Sequence, residues 1–196
     1  MTTSEFIKNL FLHPARTVDV LKEKSRLLLI ILLVINAPVF GILYFSTHFI
    51  ANLAVPIFWI FGSLIGTVLF FAVGSYLCNY YLIARLLKEK EIGSSVKVMG
   101  YYYILTYSLY HLIMIPIFVA LLISFDYYLV VIIYNISHLI LLLWIIALST
   151  QAVYYLQKDS ELRSTLKVFT AFFISYILIS IVVLIEAADL ISRIIR

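Results

Sequence analysis

Charge is scarce in this chain. Only 12% of its 196 residues are Asp, Glu, Lys or Arg, about half the share of a typical soluble domain. With 64% hydrophobic residues, a water-soluble fold would expose more apolar surface than monomers tolerate. The bilayer is the solvent that fits. The single cysteine, Cys78, excludes an internal disulfide; set in a hydrophobic run, it reads as a small buried thiol. CxxC, Cys/His, GxGxxG and P-loop patterns are lacking, so no metal or other cofactor is called for. No Met-Gly motif or prenylation box supports lipid anchoring. The opening MTTSEFIKNL has no long apolar run and no small-residue cleavage site follows, so no cleavable signal peptide is expected.

What is present is long apolar runs. A membrane-crossing helix needs about 20 mostly apolar residues, and five stretches qualify: Leu27–Phe45, Ile57–Ile83, Tyr101–Ile123, Tyr128–Tyr155 and Leu166–Ile185. Val168–Ile185 alone holds thirteen Val, Ile, Leu or Phe residues, each favouring insertion by roughly 0.3–0.6 kcal/mol at a helix centre. The runs are continuous rather than alternating, which points to helices and not barrel strands. The expected fold is all-α, an integral membrane bundle of five transmembrane helices preceded by amphipathic surface helices. Residues 1–26 form the lead-in, 27–186 the transmembrane domain and 187–196 a short tail.

The formal charge is +4, and its distribution says more than its size. Twelve of the fourteen Lys and Arg residues lie in alternate segments: five before the first run, four between the second and third, and three, Lys158, Arg163 and Lys167, around the connection from the fourth into the fifth. The loops Thr47–Pro56 and Ser124–Tyr127 have none, and the tail has Arg193 and Arg196. Cytoplasmic loops retain positive charge. The N-terminus is therefore expected inside and the C-terminus outside, in a multi-pass membrane protein. The partner this composition implies is the lipid bilayer, with no role for nucleic acid.

The lead-in reads as two short helices lying on the membrane. Ser4 can cap the first, and Phe6, Ile7, Leu10 and Phe11 share one face. His13 ends it, and Pro14 suits the first turn of the next, which presents Val18 and Leu21 against Arg16, Lys22 and Lys24. A basic amphipathic helix is drawn to anionic lipid; the plainer alternative is a solvated lead-in. In the loop Leu86–Gly100, Gly93 can stop one helix and Ser94 or Ser95 cap the next. Asp159 or Ser160 can cap the fifth helix, and the short link Ser124–Tyr128 makes the third and fourth an antiparallel hairpin.

Within the second run Gly62, Gly66 and Gly74 share a face, with GxxxG spacing between the first two. Small residues in register let backbones approach. Packing within the bundle is the ordinary outcome; homo-oligomerisation through Gly62 and Gly66 is the functional one. A sharper feature is the pair His111 and His138, expected at similar depth in the hairpin, with Tyr103 and Tyr107 beside the first and Asn135 beside the second. Intramembrane ionisable groups are candidate functional sites, here for a proton relay, metal site or polar cavity. Neutral histidines that bond to Tyr or Asn and hold the helices together are the structural alternative. No acidic residue lies deep in any run, and two histidines make a poor zinc site. Pro38 and Pro116 can kink their helices. No nucleophile–base pair can be placed, so no enzymatic role is expected.

Several segments together resemble the Ypt/Rab-interacting-protein (Yip) domain family of five-span membrane proteins. They are the basic lead-in FLHPARTVDVLKEK, the glycine-bearing FGSLIGTVLFFAVGSYL, the Gly100-Tyr101 start of the third run, and Trp144 in the fourth ahead of a polar loop. The resemblance spans most of the chain and is to the minimal, prokaryotic-type form. The DLYGP-type motif and long N-terminal region of eukaryotic trafficking members are missing, so it does not extend to binding a prenylated Rab-type GTPase. It implies a scaffold or adaptor in membrane organisation or a trafficking-like process, with a protein partner at the cytoplasmic face. The competing function is a small transporter or channel built on the zone around His111 and His138.

Overall fold

The computed structural model describes residues 2–32, 73–123 and 127–195. The fold is all-α, and no strand occurs among the described residues. Five helices are bounded: α1 (Thr3–Leu12), α2 (Ala15–Glu23), α3 (Ile92–Ile123), α4 (Tyr127–Gln157) and α5 (Glu161–Ile195). Residues 26–32 and 73–86 are also helical. Among the described residues one helical segment, Ile136–Gln157, is long and apolar enough to cross a membrane. Gly62, Gly66 and Pro38 lie outside the described residues, and so do the first expected run beyond residue 32 and the second before residue 73.

α3 and α4 pack along one another, and α4 also packs along α5. The pairing of Tyr110 with Ser137 (2.6 Å between hydroxyls) and of Tyr107 with His138 makes the first pair antiparallel. One buried cluster joins residues 73–86 to all three long helices through Tyr76, Tyr80, Met99, Tyr103, Ile145 and Val168. A second cluster seats α1 and α2 on α3 and α4: Leu10, Val18 and Leu21 meet Val98, Tyr102, Leu148 and Ala152. The lead-in is thus packed against the same body as the long helices. α5 runs unbroken to Ile195, so residues 187–195 continue the fifth helix.

Local chemistry differs from the sequence expectation at several helix ends. α1 is capped by Thr2, not Ser4: Thr2 Oγ1 accepts the Glu5 N–H at 3.2 Å, and Glu5 Oε2 accepts the Thr2 N–H at 2.8 Å. Such a box needs an acid or amide three residues on, and Ile7 stands there for Ser4. His13 ends α1 as expected, and Pro14 occupies the N-cap position of α2. Gly93 does not stop a helix; it lies inside the first turn of α3. The preceding helical stretch ends instead at Lys88, in the left-handed region at φ 55°, with Lys88 N–H donating to the Arg85 carbonyl and Glu89 N–H to that of Ala84. This is the two-bond ending usually built on glycine. Ser160 does cap α5, its Oγ accepting the Arg163 N–H at 3.3 Å.

Cys78 is exposed, contrary to a buried thiol. The buried residues of its stretch, Val73, Tyr76, Tyr80 and Ala84, recur at helical spacing and leave Cys78 on another face. Gly74 is also exposed, and nothing among the described residues lies within 4 Å of where its Cβ would stand. The glycine that does permit close approach is Gly100, whose Cβ would meet Leu29 Cδ2 at 2.9 Å and Leu77 Cδ1 at 3.2 Å.

Candidate functional site

The end of the bundle where α3 and α5 begin and α4 finishes carries the structure's polar chemistry. α4 ends as the 73–86 stretch does, on a lysine in the left-handed region: Lys158 at φ 52°, its N–H donating to the Tyr154 carbonyl. A non-glycine residue there costs about 1–2 kcal/mol. Each corner places the next residue, an acid, against α5. Lys167, 3% exposed, donates from Nζ to Asp159 Oδ2 at 2.8 Å and Gln157 Oε1 at 2.6 Å, and lies 3.1 Å from Glu89 Oε1. Arg163 completes the set, 3.0 Å from Glu89 and 3.3 Å from Asp159. Gln157 Nε2 donates to the buried Tyr80 hydroxyl at 2.8 Å. Two cations and two anions balance, which is the condition for a partly buried ionic cluster to persist. The hydrogen bond from Lys167 holds the Asp159 carboxyl below its ordinary pKa, with the Ser160 N–H and the charges of Lys167 and Arg163 adding to it.

Across the bundle, α2 is fastened by backbone and hydroxyl groups. The Pro14 carbonyl, Thr17 Oγ1 and Tyr102 hydroxyl form a triangle with edges of 2.7, 2.8 and 2.8 Å, two of which the two hydroxyl protons serve. Tyr101 donates to the Ser25 carbonyl at 2.7 Å, Lys97 to that of Lys22, and Tyr155 to Asp19 Oδ2 at 3.1 Å. The exposed Lys22–Glu91 pair, at 3.3 Å, adds little. The expected membrane face of α1 divides accordingly. Leu10 is buried in protein and Phe6 packs beside it, while Ile7 is 39% exposed. The side chain of Phe11 lies outside the described residues.

Between the α1–α2 corner and α4 lies a groove of about 750 Å³. Leu12, Leu143, Trp144 and Ala147 give it an apolar wall; His13, Arg16, Thr150, Gln151, Glu161 and Thr165 give it a polar rim. Arg16 is exposed and makes no ion pair among the described residues. Thr150 is 6% exposed, yet its hydroxyl has no hydrogen-bond partner among the described residues.

Deeper in the bundle, an aromatic ladder crosses the helices. Phe172 meets Tyr76 edge-on at 5.8 Å, Tyr76 lies 6.3 Å from Tyr103, and Tyr103 stacks on Tyr107 at 5.8 Å. Tyr107 meets the His138 ring edge-on at 5.6 Å, and Tyr110 stands 6.3 Å from that ring. Three of the five residues expected in the polar zone, Tyr103, Tyr107 and His138, are therefore brought together. The side chains of His111 and Asn135 lie outside the described residues. Tyr110, Ser137 and Tyr76 were not singled out from sequence. Tyr110 follows Tyr107 by three residues and so was within reach of the same spacing argument.

Among the described residues no three His, Cys, Asp or Glu side chains are placed to hold a metal ion. No family model matches this chain, and no curated protein or solved structure matches it either.

Proposed function

We propose that this chain is a non-enzymatic scaffold or adaptor crossing the membrane five times, with its N-terminus in the cytoplasm and its C-terminus outside. The function is that of a Yip-like protein: its cytoplasmic face presents a fixed surface to a protein partner or to lipid. The observation that carries this reading is the attachment of α2 to α3 and α4. Buried hydroxyls and backbone carbonyls hold the lead-in in one place, as a rigid recognition surface requires. The membrane part rests on exposed apolar side chains along the long helices: Leu112, Ile113, Ile136, Leu139, Ile140, Phe169, Phe173 and Ile177. A band of that extent marks a lipid or protein contact, and the alternation of basic and charge-free connections sets its orientation. His138 packed between Tyr107 and Tyr110 supports a structural seam over a transport pathway.

The test is site-specific crosslinking in native membranes from exposed positions on α2, such as Glu23, with Tyr102→Phe as the comparison. Removing that hydroxyl is expected to cost about 1–2 kcal/mol of α2 attachment and to weaken capture of a discrete cytoplasmic protein. Capture unchanged by Tyr102→Phe counts against the scaffold. Proton or divalent-cation flux in liposomes that disappears in His138→Ala would favour the transporter.

A further inference from the structure

The groove beside the α1–α2 corner has a composition that neither packing nor the scaffold role uses. We propose that it is a binding site for one anionic glycerophospholipid of the cytoplasmic leaflet, a proposal that rests on the membrane-spanning reading. Its level is right. Thr165 immediately precedes the fifth apolar run, and Tyr102, which holds the corner, is the second residue of the third. Its two sides are chemically unlike. Leu143, Trp144 and Ala147 offer a wall for an acyl chain on the α4 stretch that lies deeper by about 1.5 Å per residue from Thr150. Arg16 and His13 stand on the rim as the groups for a phosphate, with Glu161 as the one acid facing them.

Arg16 is the deciding feature: it is exposed on the rim and makes no ion pair among the described residues. The volume, about 750 Å³, suits part of a lipid and is far larger than a free phosphate requires. The arginine fork favours a phosphate over the compact charge preference of a lysine, and an anionic head group leaves net negative charge to meet Arg16 where a zwitterionic one brings its own cation.

Native mass spectrometry of the whole protein released from detergent tests the site, using phosphatidylglycerol and phosphatidylcholine with matched chains. One phosphatidylglycerol per protein should be retained in preference to phosphatidylcholine. Arg16→Gln should weaken retention roughly fivefold, the change one near-surface cation carries. Arg85→Gln, exposed at another helix end, should leave it unchanged. Equal retention of both lipids, an Arg16→Gln variant that binds as wild type, or displacement by inorganic phosphate would each overturn the site. Extraction by alkaline carbonate separates the two readings. Protein released by carbonate overturns the spanning reading and the site with it; resistant protein holding both lipids alike overturns the site alone.

Discussion

The α4–α5 corner and the middle of the same two helices are held by different physics. Near Gln157 and Glu161, side chains are paired: Lys167 has three oxygen partners, Arg163 has two, and α2 lies across Leu148 and Ala152. Around Ile140 and Phe173 the outward faces carry Leu139, Ile140, Leu143, Phe173 and Ile177 in the open. Within the same two helices, then, charged groups find protein partners while apolar groups are left for something else to cover. That division is what a bilayer edge imposes, since an unpaired polar group in hydrocarbon is expensive and an exposed leucine is not.

Breaking the paired end should have the largest effect. Lys167→Met removes the cation shared by Glu89 and Asp159 and leaves both carboxylates with Arg163 alone. Losing one partner of a buried ionic set costs about 3–5 kcal/mol. Equilibrium unfolding in detergent should show it, together with faster amide exchange at the α4–α5 corner. A Met variant as stable as wild type would mean that the cluster is solvated and that the corner and the middle do not differ as described.

The open middle gives the second prediction. Ile140, 62% exposed, is near the centre of the fourth apolar run. If lipid covers it, Ile140→Arg should disfavour insertion by about 2.5–3.5 kcal/mol, the penalty at a helix centre. In water, a substitution at such an exposed position would change stability by about 0.5 kcal/mol or less. An insertion assay of the fourth run with its native flanks reads the difference directly. An arginine there without penalty removes the contrast between the corner and the middle.

The paired end was the harder one to read from sequence. The hairpin of α3 and α4, the His13–Pro14 corner, the Ser160 cap and the Tyr103–Tyr107–His138 grouping follow from local spacing, because helical periodicity fixes which neighbours share a face. The ionic cluster does not. Glu89 and Lys167 are distant in sequence, and their meeting depends on two lysines, Lys88 and Lys158, turning the chain where glycine is the usual signal. Lysine carries no such local signature. The stripe on α1 misled for another reason: an apolar face fits protein or lipid equally well, and only the docking of α2 decides that Leu10 and Phe6 face protein. Cys78 and Gly74 show the same ambiguity in the second run, where residues are apolar all round and periodicity cannot say which face is packed.

The smallest expected effect sharpens the same comparison through pH. Asp159 gains the Lys167 hydrogen bond on folding, so its carboxyl binds a proton less readily in the folded chain than in the unfolded one. Its stabilising contribution is complete above the ordinary aspartate value near 3.9. Below that value the unfolded chain takes up the proton first, stability falls, and the contribution is gone once the pH has passed the lowered folded value. Glu5 and Glu91 are held low as well, the first mainly by the Thr2 N–H and the second mainly by the Ser94 hydroxyl, and they act in the neighbouring acid range. Both lie at the exposed surface, where salt screens charge far more effectively than at a partly buried pair. Acid titration of stability at high salt should therefore retain a slope below about pH 4 in wild type and lose part of it in Asp159→Asn. Superimposable curves for the two proteins would place Asp159 in bulk-like solvent, and the Lys167 cluster would then be no drier than the surface around it.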